Sequence, residues 1–207
     1  ELELEGRRGQ TITVRHAEVL DGDKPYAESL RTAMAELRYI CKDGKQVYSP
    51  RLTYMGFRYI AVTGITLKHL TVKARALSSD FEETGSFSCS DERLNRLQSN
   101  IRWSGRSNFV DIPTDCPQRD ERQGWTGDIA VFASTACYNF NLSRFYEKWL
   151  KDMCLEQSHG GGIPTVIPIQ GCSTPVVAVA CWGDSCISVT YTHLRAHETL
   201  RYLVCRL

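Results

Sequence analysis

Asp111-Ile-Pro-Thr-Asp-Cys-Pro-Gln-Arg-Asp-Glu-Arg-Gln-Gly-Trp-Thr-Gly-Asp128 is the stretch on which the reading of this chain turns. Its carboxylates are Asp111, Asp115, Asp120, Glu121 and Asp128, with Arg119 and Arg122 among them and Trp125 close behind. Pro113 and Pro117 deny its first half a helix, because each removes an N–H and pushes the preceding residue out of the α region. Gly124 and Gly127 are expected to loosen its second half. Acids crowded on such a loop repel one another unless they hold a partner or do a job. Solvated surface and calcium binding are the ordinary alternatives. A calcium loop places its oxygens at alternate positions, and the spacing here does not alternate. Acids, a guanidinium and an aromatic ring on one loop suit a sugar or cation site.

Asp120 and Glu121 are adjacent, so on any regular backbone they face different ways. Glu121 and Asp128 share a face only if the segment is helical. Hydrolysis of a glycoside needs one protonated and one ionised carboxyl near the same sugar ring. Neighbouring carboxylates raise one another's pKa and an arginine lowers it. Arg119 is therefore expected to hold Asp115 or Asp128 ionised while Glu121 stays protonated as a general acid.

From Asp115 to Asp128 the stretch resembles, almost without a break, the signature of bacterial α-L-rhamnosidases, family 78 of the glycoside hydrolases. The resemblance implies that Glu121 is the general acid. It implies that Asp115, Arg119, Asp120 and Asp128 bind the rhamnose hydroxyls. It also implies inversion at the anomeric carbon, with a second carboxylate activating water from the opposite face. That base is expected far downstream in a helical barrel and has no place in this chain. The implied partner is a rhamnose-containing glycoside or polysaccharide, and the implied chemistry requires no cofactor.

A second segment points the same way. His16-Ala-Glu18 and Pro50-Arg-Leu-Thr-Tyr-Met-Gly-Phe-Arg-Tyr59 resemble the β-sandwich domain that precedes the catalytic barrel in that family. His16 and Glu18 share a strand face, but without a third partner they read as a structural pair. Cys181-Trp-Gly-Asp184 resembles the family's Gly-Trp-Gly-Asp-Ala segment, with Cys181 and Ser185 in place of the flanking Gly and Ala. Trp182 is thus the aromatic candidate for the rhamnose pocket, its face suited to the C–H patch and methyl of a deoxy sugar. A lone tryptophan otherwise packs in a core.

The expected fold is a partial β-sandwich followed by the first helices of a truncated (α/α)6 barrel. The domains read as 1–76, a concanavalin-like β-sandwich truncated at its N-terminus; 77–85, a linker; 86–189, the start of the catalytic barrel; and 190–207, a tail resembling translated adapter read-through. Strand patterns fall at Glu1–Glu5, Gln10–Leu20, Ala35–Cys41, Phe57–Val62 and Leu67–Ala76, with a turn at Asp21-Gly22-Asp23. Ser90 is expected to cap a helix whose apolar stripe is Leu94, Leu97 and Ile101. Ile129, Phe132, Ala133, Ala136 and Cys137 mark a second helix. Asn141 or Ser143 caps a third, with Phe145, Trp149, Leu150 and Met153 on its core side.

The 207 residues carry a net charge of +1, which gives no electrostatic case for nucleic acid or a membrane surface. Nine cysteines without a C-x-x-C pair indicate neither a zinc site nor a disulfide framework. His193 and His197 sit at i and i+4, but no third ligand joins them, so no metal site is expected. A carbohydrate-binding module without catalysis is the alternative function, with the sandwich as its working half. A different hydrolase or lyase on the same barrel is a third. Cellular location and oligomeric state are left open.

Overall fold

The computed structural model describes residues 1–170 and 179–198, with side chains through Tyr191. It divides into two compact units: Glu1–Leu77 with Cys116–Arg122, and Ser78–Asp115 with the chain from Gln123 onward.

The first unit is built from β1 (Leu2–Gly6), β2 (Thr11–Ala17), β3 (Leu20–Asp21), β4 (Lys24–Pro25), β5 (Glu36–Ile40), β6 (Gly44–Tyr48), β7 (Tyr59–Thr63) and β8 (Leu70–Val72). Two three-stranded antiparallel sheets form, in the orders β6-β1-β8 and β5-β2-β7. Strand alternation puts Leu2 and Leu4 of one sheet and Ile12 and Val14 of the other into a single core, with Cys41. That common core makes the pair a sandwich. The Asp21-Gly22-Asp23 turn closes the β3–β4 ribbon. Two expectations change. Leu67–Ala76 begins as a 3-10 turn and keeps strand pairing only over Leu70–Val72. Gly44–Tyr48, which lies outside the expected strands, is a full strand, because it pairs along β1 from Gly44↔Gly6 to Tyr48↔Leu2.

The second unit contains α1 (Glu92–Asn108), β9 (Phe109–Val110), β10 (Ile112–Pro113), α2 (Thr126–Asn139), α3 (Ser143–Glu156), α4 (Ala180–Gly183) and α5 (Ser185–Glu198). The cap of α1 is Asp91, one residue past the expected Ser90; its side chain accepts from Arg93 N–H. The expected stripe is covered only toward its C-terminal end. Leu94 and Leu97 are 47% and 53% exposed, whereas Gly105 is buried against the ring of Phe140. Asn141 assists the start of α3 by accepting from Ser143 N–H and O–H. Phe145, Trp149 and Met153 are buried on one side of α3, with Leu150 packed beside them. Trp149 also donates its indole N–H to the Ile167 carbonyl. Phe145 and Trp149 are therefore core, not sugar platforms.

Ser79–Gly85 runs along this unit rather than standing free. Ser79 N–H donates to Phe109 O, Thr84 N–H to Asn139 O, and Phe81 packs on Phe109 and Phe140. The β9–β10 hairpin turns at Asp111, whose φ of 67° is one that aspartate tolerates better than most residues. Its carboxylate pairs with Lys148 of α3 at 3.0 Å. Cys41, Cys89, Cys154, Cys181 and Cys186 are free thiols. Residues 190–198, the first part of the expected tail, continue helix α5; residues 199–207 and the side chains of His193 and His197 lie outside the described part.

Candidate active site

Beyond β10 the acid-rich stretch is a loop up to Trp125 and a helix from Thr126. Glu121 and Asp128 therefore do not share a helix face. Arg122 adopts φ 51°, which bends the chain inside the loop.

Cys116–Arg122 folds with the sandwich unit, and there the loop side chains find their partners. Glu121 Oε2 lies 2.8 Å from Nη1 of Arg31 and 2.9 Å from Nη2 of Arg119. The Glu121 side chain is only 16% exposed. Asp120 turns the other way, as adjacency requires. Its Oδ2 accepts from the backbone N–H of Thr32 at 3.3 Å and from the Thr32 hydroxyl. The Thr32 contact, and behind it the charge of Arg31, holds the Asp120 carboxyl below its ordinary pKa. Arg122 donates to Tyr54 O at 2.9 Å and stands over the Tyr54 ring, 4.8 Å from its centroid. Gly56 N–H donates to Pro117 O at 3.0 Å; a β-carbon there would meet the Pro117 backbone at 2.9 Å.

Asp115, Asp128 and Trp182 belong to the second unit. Asp115 and Gln123 close the base of the loop reciprocally. Asp115 N–H donates to Gln123 O at 3.0 Å, and Gln123 N–H donates to Asp115 Oδ1 at 2.7 Å. Asp128 stands in the first turn of α2, where a negative charge suits the helix dipole. Trp182, on α4, brings its indole against Gly127.

The two glycines do the opposite of loosening the segment. Neither takes a positive φ; both are sites of close approach. A β-carbon on Gly124 would collide with the Ile167 carbonyl oxygen, which lies next to the Ile167 N–H→Gly124 O bond at 2.9 Å. A β-carbon on Gly127 would overlap the Trp182 ring. Trp125 bridges Val166, and Thr126 donates to Thr165 O at 2.9 Å. Residues 124–126 are thereby sewn to 165–167, and the start of α2 is fixed.

His16 is structural. Its Nδ1 lies 2.9 Å from Ala35 O, and since a carbonyl only accepts, that nitrogen carries the proton. The ring meets Phe57 edge-on at 5.1 Å, and burial pushes the imidazole pKa down.

Sequence reasoning missed Arg31, Thr32 and Tyr54 as partners of the loop. Tyr54 and Gly56 lie in the second motif segment, which was the available signal for them. Arg31 and Thr32 have no local signal, because they meet the loop only through the fold. The pairing of Arg119 with Glu121 itself was also unforeseen.

A β-sandwich unit and a helical unit, with an Asp-Cys-Pro-Gln-Arg-Asp-Glu loop in the chain, define an architecture of β sheets followed by helices. Residues 82–203 match the bacterial alpha-L-rhamnosidase 6 hairpin glycosidase domain, and residues 1–78 match the bacterial alpha-L-rhamnosidase concanavalin-like domain. The chain belongs to the bacterial α-L-rhamnosidase family, of whose six-hairpin domain it carries a part.

An α-L-rhamnosidase of Streptomyces avermitilis is 42% identical over 95% of this chain and 19% of its own length. One from Formosa agariphila is 40% identical over 92% of this chain and 21% of its own length. The solved structure of the Streptomyces avermitilis enzyme complexed with L-rhamnose superposes with a TM-score of 0.86, at 42% identity, over 92% of this chain and 19% of that one. The Aspergillus terreus enzyme superposes with a TM-score of 0.81, at 38% identity, over 93% of this chain and 23% of that one. The chain thus spans about a fifth of the length of the curated relatives it matches.

Proposed function

We propose that the whole protein to which this chain belongs is an inverting α-L-rhamnosidase that releases terminal α-L-rhamnose from glycosides or polysaccharides, with Glu121 as its general acid. The observation that carries this reading is the largely buried Glu121 within a loop of family sequence, in a chain that matches two domains of the family. Glu121 delivers a proton to the glycosidic oxygen as the bond to the anomeric carbon breaks. Water adds to the opposite face of that carbon and gives its proton to a general base outside this chain.

Asp115, Arg119, Asp120 and Asp128 orient the sugar through charge-assisted hydrogen bonds, each worth roughly 1.5–3 kcal/mol. Trp182 offers an aromatic face to the apolar side of rhamnose. We take residues 1–76 as the concanavalin-like domain, 77–85 as the connection and 86–189 as the start of the six-hairpin domain. No role is assigned to 190–207. The carbohydrate-binding alternative gains little support from the sandwich, where Tyr39 and Tyr48 stack on each other at 4.6 Å and Tyr39 O–H donates to Gln46.

An assay of the whole protein with aryl and unactivated α-L-rhamnosides, beside Glu121→Gln, tests the proposal. Wild type is expected to release rhamnose. Glu121→Gln is expected to lose ~10²–10⁴-fold in kcat on the unactivated substrate while still binding rhamnose. The chain by itself, without a base, is expected to show little or no turnover. Unchanged turnover in Glu121→Gln sinks the acid; rhamnose binding without hydrolysis in wild type favours the binding module.

A further inference from the structure

Arg31 stands where the backbone favours glycine. Leu30-Arg31-Thr32-Ala33 forms a tight turn closed by Ala33 N–H→Leu30 O at 3.1 Å. Arg31 has φ 58° and ψ −119°, the first inner position of a type II′ turn. A side chain there strains the main chain, and such outliers persist only where the surroundings enforce them. The turn is anchored by Leu30, which is 2% exposed. The ion pair alone gives a weak stability reason for arginine, because the Arg31 side chain is 52% exposed and exposed pairs contribute little.

The turn and the loop meet in opposite order along the chain. Arg31 takes Glu121 and Thr32 takes Asp120. Two consecutive turn residues thus set the directions of two consecutive loop acids. Tyr54 and Gly56 hold the same loop at Arg122 and Pro117. Both guanidiniums on Glu121, from Arg31 and Arg119, meet one oxygen, Oε2. Two cations at ion-pair distance from one oxygen favour negative charge on it, so a proton on this carboxyl belongs on Oε1.

We propose that Arg31 is a positioning residue for the acid: with Arg119 it occupies Oε2 of Glu121, so that Oε1 carries the proton passed to the leaving oxygen. Thr32 fixes Asp120 beside it. The sandwich domain is by this account a working part of the acid's geometry. The proposal rests on Glu121 being the general acid.

The test compares Arg31→Gly and Arg31→Lys with wild type in the whole protein. Glycine removes the side chain yet fits the backbone, so the melting temperature is expected to hold or rise. Kinetics are measured on a nitrophenyl rhamnoside, whose leaving group needs little protonation, and on an alkyl rhamnoside, whose leaving group needs an acid. Arg31→Gly is expected to lose about tenfold or more in kcat on the alkyl substrate, with the nitrophenyl rate and both KM values changed little. Arg31→Lys is expected to recover part of the loss. An equal loss on both substrates, or on neither, overturns the proposal. If wild type cleaves neither substrate, it is the rhamnosidase reading that fails. The crystal structure of Arg31→Gly then decides the clamp: a Glu121 carboxylate that stays in place overturns it, and one that swings away upholds it.

Discussion

A β-carbon on Gly127 would lie 2.8 Å from Cε2 and 2.9 Å from Nε1 of the Trp182 indole. Such distances force something to move, and the neighbour is a rigid ring rather than a flexible chain end. The first turn of α2, which carries Asp128, and the tryptophan of α4 are thus packed through the absence of a side chain.

Gly127→Ala is expected to displace the indole and to weaken rhamnose binding by the whole protein at least severalfold. Fold stability is expected to fall by ~1–3 kcal/mol, the usual effect of overpacking. Rhamnose titration and urea denaturation check both. Wild-type affinity in Gly127→Ala would remove Trp182 from the proposed pocket.

Tyr146 offers an opposite case. Its ring is fully buried in the helical core among Phe109 and Phe145, and its hydroxyl has no hydrogen-bond partner among the described residues. Burial pushes its pKa well above the ordinary tyrosine value. Tyr146→Phe deletes an unsatisfied polar group and little else. It is expected to be neutral or to stabilise by about 1 kcal/mol. A loss beyond about 1 kcal/mol in urea denaturation would mean that the hydroxyl is bonded after all.

His16 gives the sandwich a pH dependence of predictable sign. Its folded pKa lies below the ordinary histidine value because of burial. The unfolded chain therefore binds the extra proton first on acidification. Stability is full above about pH 6.5 and declines as the pH falls through that value toward the lower folded pKa. The slope is at most ~1.4 kcal/mol per pH unit for one proton. His16→Gln, which keeps a donor for Ala35 O without titrating, is expected to flatten the curve between pH 7.5 and 5. Coincident slopes for the two proteins would assign the pH dependence to another group.

The sandwich and the helices were legible wherever burial follows a local period. Leu2 and Leu4, and Ile12 and Val14, alternate and are buried. Phe145, Trp149 and Met153 recur at helical spacing and line the core side of α3. The loop was legible because two prolines exclude a helix and because its residue order is that of a known family. Errors came where local preference competes with context. Ser90 and Asp91 are both good caps, and the contact made by the Asp91 carboxylate decided between them. Leu94 and Leu97 have the right spacing but no described neighbour to cover them.

The amino-acid order by itself put forward the candidate site residues, since the identity and spacing of Asp115, Arg119, Asp120, Glu121 and Asp128 are local facts. It also settled the switch from strands to helices, because each has its own period. Only the tertiary structure decided what those acids touch. Arg31 and Thr32 reach Glu121 and Asp120 from a turn far away in the chain, and no local pattern encodes so distant a meeting. Only the fold revealed that Gly124 and Gly127 are small for want of room. Steric exclusion depends on the neighbours that packing supplies, here the Ile167 carbonyl and the Trp182 ring.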